Sequence, residues 1–132
     1  MRIFTSFFDN WRVFKPLNIV MVSVAKRRPR GFSDIPVLLS LVPNEVCEKA
    51  PQGKFAETYW REVLMKSDPT ALYNMLKTIS QANDNADIVL CDFSAPSEHN
   101  YRRQIAAWLQ YYLHVVVDEF PVIAETKSVK LQ

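Results

Sequence analysis

The chain reads as an α/β protein, a single compact domain in which a mostly parallel sheet of about four strands carries helices packed on it. Three observations point there. Leu17 to Ala25 is a near-continuous Val/Ile/Met run, the pattern of a strand covered on both faces. Asp87 to Leu113 is a strand, a polar loop and a helix in succession. Helical patterns also fall between the strands, as a parallel pair requires, because its connection must cross over the sheet.

The elements follow in order. Arg2 to Phe7 alternates and is rich in aromatic and β-branched residues, so it reads as the first strand, with Leu17 to Ala25 as the second. Ile35 to Val42 is apolar, but Pro36 and Pro43 argue against a central strand and leave a loop or a single helical turn. Gly53 to Lys66 sets Phe55, Tyr59 and Val63 at four-residue intervals, which predicts a helix with one broad apolar face. Ser67 or Asp68 caps the next helix, Pro69 fits its first turn, and Leu72, Met75, Leu76 and Ile79 form its inward stripe until Asn83-Asp84-Asn85 breaks it. Asp87 to Phe93 is a strand, Ser94 to His99 a polar loop, and Tyr101 to Leu113 a helix facing inward through Ile105, Trp108, Leu109 and Tyr112. His114 to Val117 closes the sheet. Residues 1–120 then form the domain, and 121–132 are expected to be a mobile tail.

The totals exclude several function classes. Sixteen basic against fourteen acidic residues leave +2, which is not the surface of a non-specific nucleic-acid binder. Cys47 and Cys91 lack a C-x-x-C spacing, and neither His99 nor His114 has a cysteine partner at finger spacing, so no metal or other cofactor is expected. Two glycines are too few for a P-loop or a dinucleotide fingerprint. The longest apolar runs are too short to span a bilayer, and the N-terminus lacks the features of a secretory leader. The expectation is a cytoplasmic protein with free thiols and no membrane partner.

The chemistry concentrates in two segments. Ser23 to Phe32, Ser-Val-Ala-Lys-Arg-Arg-Pro-Arg-Gly-Phe, puts four cations into a short loop directly after the second strand. A turn built by Pro29 and Gly31 cannot bury them, and the carboxyl end of a strand in an open α/β sheet is where such folds bind ligands, so the loop reads as an anion site. The second segment runs from Cys91 through Asp92 to His99 and into a helix opened by Asn100, Tyr101, Arg102 and Arg103. Free N–H groups at a helix start, with two guanidinium forks, suit a phosphate or carboxylate. Positive charge there costs roughly 0.3–1 kcal/mol against the helix dipole, which either a bound anion or an acidic neighbour such as Asp92 or Glu98 offsets. The two segments are expected to face one anion from two sides.

Thr5-Ser6, Ser23 to Phe32, Leu41-Val42-Pro43, Phe55 to Tyr59, Val63-Leu64 before Asp68-Pro69, and Val89-Leu90-Cys91 with the later Arg102 and Trp108 together resemble the domain-of-unknown-function 488 family. The resemblance runs to about Val117 and implies a compact α/β fold. That family's most distinctive motif pairs a strand-ending Cys-x-Glu with a downstream Cys-His-Arg. Here Cys91 and Arg102 stand in place, but Phe93 takes the Glu position, and Asn100 and Tyr101 take those of the second Cys and the His. The resemblance thus implies a binding half without the family's reactive half.

The ligand-binding set is Thr5, Ser6, Ser23, Lys26, Arg27, Arg30, Cys91, Asp92 and Arg102, with no catalytic residue assigned. The leading reading is a non-catalytic binder of a phosphate-bearing, nucleotide-like small molecule, in one version a phage-type sponge that sequesters a nucleotide signal. Two alternatives stand beside it. One is an enzyme acting on a nucleotide or nucleoside-like metabolite through Cys91, Asp92 or His99. The other is a protein or nucleic-acid interaction module using the basic loop, and a homo-oligomer is compatible with each.

Overall fold

A computed structural model of the chain describes residues 1–93 and 101–120. Four strands, β1 (Ile3–Phe7), β2 (Ile19–Ser23), β3 (Asp87–Asp92) and β4 (Val117–Glu119), form one sheet in the order β2-β3-β1-β4. Every neighbouring pair is parallel, with Ser6 beside Cys91, Ser23 beside Cys91 and Thr5 beside Glu119. The α/β architecture is the one that the patterning predicts.

Side chains alternate along each strand, so each strand contributes to two cores. Ile3, Val22, Ile88, Leu90 and Val117 face one side and pack with Tyr59, Leu76, Ile105 and Trp108. That side is covered by α2 (Glu45–Glu48), α3 (Phe55–Glu62), α4 (Pro69–Gln81) and α5 (Arg102–Leu113). Phe4, Met21, Val89 and Cys91 face the other side, against Phe8 and the Phe14 of the short helix α1 (Trp11–Phe14).

Local chemistry sets the helix ends. Asp68 accepts from the Thr70 N–H at 3.0 Å and the Ala71 N–H at 3.2 Å, with Pro69 in the first turn, and Asp84 and Asn85 take left-handed φ values of 57° and 59° just beyond the end. The buried stripe of α4 is narrower than its spacing predicts, because Leu72 and Leu76 are buried while Met75 is half exposed. The helix predicted over 53–66 stops at Glu62. At Val63 φ widens to −117°, and a separate 3-10 turn spans Leu64–Lys66. The last strand starts at Val117 rather than His114, whose left-handed φ of 56° closes α5. Helices α1 and α2 are too short for periodicity to announce, and the tail beyond residue 120 lies outside the described residues.

The two sheet edges end differently. At β4 the outward Val117 N–H is bonded by the Gln110 side chain at 2.8 Å, and its carbonyl accepts from Arg103 at 3.3 Å. At β2 the segment around Val37 begins a fourth ladder: the Ser23 N–H donates to the Pro36 carbonyl at 2.8 Å, and the Leu38 N–H to the Ser23 carbonyl at 2.9 Å. The next rung would need an N–H on residue 36, and proline has none. The ladder stops there.

Candidate functional site

All four strands run the same way, so their carboxyl ends share one edge. From that edge β1 leads to α1 on one face, while its neighbour β3 leads towards α5 on the other. Adjacent strands whose connections diverge leave a crevice between them, the place where open α/β sheets receive ligands.

Alternation sorts the candidate residues between the two faces of this crevice. Thr5, Phe7, Asp92 and Glu119 point to the α5 side. There Arg102, fully buried, donates to Asp92 at 2.7 Å and through Nε and Nη2 to Glu119 at 3.0 and 2.7 Å, with its guanidinium 5.5 Å from the Phe7 ring centre. Thr5 donates to Glu119 at 2.7 Å and accepts from Arg103 at 2.8 Å. The result is a charge-balanced chain of two guanidiniums and two carboxylates that spans β3, β1 and β4. Burial opposes the charge on Arg102, and the hydrogen bonds to Glu119 together with the Asp92 and Glu119 charges outweigh it, so its pKa is raised.

Of the two offsets for positive charge at this helix start, the structure shows the acidic neighbour Asp92 and adds Glu119. The role of Glu119 is invisible in sequence because strand register alone brings it beside Thr5. Tyr101 is also structural: its hydroxyl donates to the Val24 carbonyl at 2.9 Å and ties the start of α5 to the end of β2.

Ser6 and Cys91 point to the α1 side. Ser6 donates to the Phe120 carbonyl and accepts from Asn10 at 2.9 Å. Cys91 is fully buried, and desolvation followed by the Asp92 charge pushes its thiol well above the ordinary value, against the opposing pull of Arg102. It is a small core residue here. Ser23 accepts from the Ala25 N–H at 3.1 Å and donates toward the Arg27 carbonyl at 3.3 Å, which shapes the start of the basic loop.

The loop itself is open to solvent. Lys26, Arg27, Arg28 and Arg30 are exposed, and among the described residues none has a carboxylate at ion-pair distance. Arg27 lies 5.8 Å from the centre of the half-exposed Phe93 ring, which leans on Phe8 at 4.6 Å. Phe93 directly follows Asp92, so Arg27 and Arg102 flank the end of β3 on opposite faces of the sheet, Arg102 turned inward to Asp92 and Glu119 and the loop outward to solvent. His99 lies outside the described residues.

An open groove of about 750 Å³ runs along the β2 edge, lined in part by Trp11, Phe14, Met21, Phe32 and Ile35, and none of the nine candidate residues lines it. Among the described residues no helix is long and apolar enough to cross a membrane, and no group of three or more His, Cys, Asp or Glu could hold a metal ion. No family model matches the chain, and no curated protein or solved structure is significantly similar to it.

Proposed function

We propose that the protein binds a phosphate-bearing, nucleotide-like small molecule at the basic loop without turning it over, and that it acts by holding that ligand, as a sponge for a nucleotide signal does. One observation carries the reading: four cations without ion-pair partners among the described residues stand at the carboxyl edge beside the crevice between β1 and β3. Arg102 shapes the edge from inside, and Lys26, Arg27 and Arg30 meet the anion. Burial of Cys91 and the ion pairing of Asp92 favour binding over the enzymatic alternative, because a nucleophile needs an accessible thiolate and a general base needs a free carboxylate.

Thermal-shift measurements against a nucleotide panel test this. Ligand at a hundred times its Kd stabilises the native state by about 2.7 kcal/mol, several degrees for a domain of this size. Arg27→Ala and Arg30→Ala should remove the shift while leaving the apo midpoint in place, since both side chains are exposed. Full shifts in both variants, or consumption of the nucleotide during incubation, would defeat the proposal.

A further inference from the structure

We infer that the groove beside β2 seats the ring of the ligand whose phosphate the basic loop holds, and that the outward backbone of Met21 reads the edge of that ring. This rests on the binding reading above and assigns the ring half of the ligand to residues outside the nine candidates.

The groove follows from the stopped ladder. Directly after β2, Val24 donates to the Cys91 carbonyl, so the even-numbered residues of the strand turn their backbone toward β3. Met21 and Ser23 therefore turn outward, as the Ser23 bonds to residues 36 and 38 show. Pro36 cannot supply the donor that the Met21 C=O would take in the next rung, and no acceptor meets the Met21 N–H, so both face outward at the edge with no hydrogen-bond partner among the described residues. Unbonded backbone at a concave apolar site is a ready donor and acceptor pair, the kind of convergent polar group that orients a small molecule.

The walls suit a planar ring. Trp11 and Phe32, with centroids 5.6 Å apart, form one side, and the cation of Lys15 lies 5.5 Å from the Trp11 centroid. The volume falls within the range of about 300–1,000 Å³ common for small-molecule sites.

Loop and groove are one piece of structure. A turn closed by the Phe32 N–H on the Pro29 carbonyl at 3.1 Å, with Gly31 at φ 88°, places Arg30 beside the groove wall. Arg28 donates to the carbonyl of Ile35, another wall residue, at 2.6 Å. A phosphate on this turn leaves the rest of its molecule at the mouth of the groove. The chemistry selected is an aromatic heterocycle with a donor and an acceptor on one edge, joined to a phosphate. A nucleobase has that form; bare polyphosphate does not.

The test titrates the protein with ATP, GTP, CTP, UTP and inorganic tripolyphosphate at fixed ionic strength. The tightest nucleotide should bind at least about tenfold more strongly than tripolyphosphate, the scale of one base stacked on an aromatic wall. Phe32→Ala should bring that nucleotide to the tripolyphosphate level, and Phe32→Tyr should keep the preference. Phe32→Leu replaces the alanine variant if the latter does not fold. Equal binding of all five probes, or a preference that survives loss of the Phe32 ring, overturns the groove assignment while leaving the anion site standing. Binding of none of the probes overturns the anion site and the groove together.

Discussion

Arg102→Ala is the perturbation that separates a structural guanidinium from a surface one. The arginine side chain is wholly buried, Asp92 is 1% exposed, and Glu119 is one-third exposed. Removing the cation strips a buried carboxylate of its guanidinium, which typically costs about 3–5 kcal/mol, because desolvation is no longer repaid by that attraction. Against a total stability of roughly 5–15 kcal/mol for a small domain, that is a large share. Lys49→Ala is the control. It removes an i,i+4 pair with Glu45 at 3.3 Å in which both side chains are about three-quarters exposed, and such pairs contribute about 0.3–0.5 kcal/mol. Urea unfolding at pH 7 should show a large drop in midpoint for Arg102→Ala and almost none for Lys49→Ala. The double variant Arg102→Met with Asp92→Leu should recover much of the loss, since it removes the buried charges together. A loss below about 1 kcal/mol for Arg102→Ala, the range of exposed pairs, would refute the account of a buried ionic chain across three strands.

Two further outcomes follow from the same structure. Cys91 has a raised pKa in the folded chain, so folded protein holds the thiol proton above the ordinary value of 9.0 while unfolded protein releases it. This contribution is fully present below that value and is lost as pH rises, at up to about 1.4 kcal/mol per pH unit for one group, and buried Tyr59 and Tyr101 steepen the fall above 10. Cys91→Ala should flatten the stability profile between pH 9 and 10, as read by urea midpoints, and an unchanged slope would show the thiol to be titratable in place. At the start of α4, Asp68→Ala removes two capping hydrogen bonds and should cost about 1 kcal/mol in the same assay, with Asp68→Asn costing far less.

Much of the frame was legible in order of sequence. Strands β1 and β3 lie within their predicted spans, and the Asp68-Pro69 start of α4 and the helix over Arg102–Leu113 were readable because capping and periodicity act within a few residues. The same locality explains what was missed. Nothing near Arg102 announces Glu119, seventeen residues on, and no period marks α1, a single turn whose Trp11 and Phe14 wall the groove. Pro36 was readable as a reason against a strand, yet its effect on Met21 needed the segment around Val37 to be laid along β2.

By itself the sequence determined the fold class, the two-faced strands and the exposure of a loop holding four cations, because alternation, caps and a Pro-Gly turn are enforced by neighbours along the chain. Only the tertiary structure decided that Arg102 pairs inward, that Cys91 is sealed in a core and that an edge stops at Pro36 beside a groove. Those outcomes depend on which strand lies next to which, and sheet order is a property of the whole packed domain.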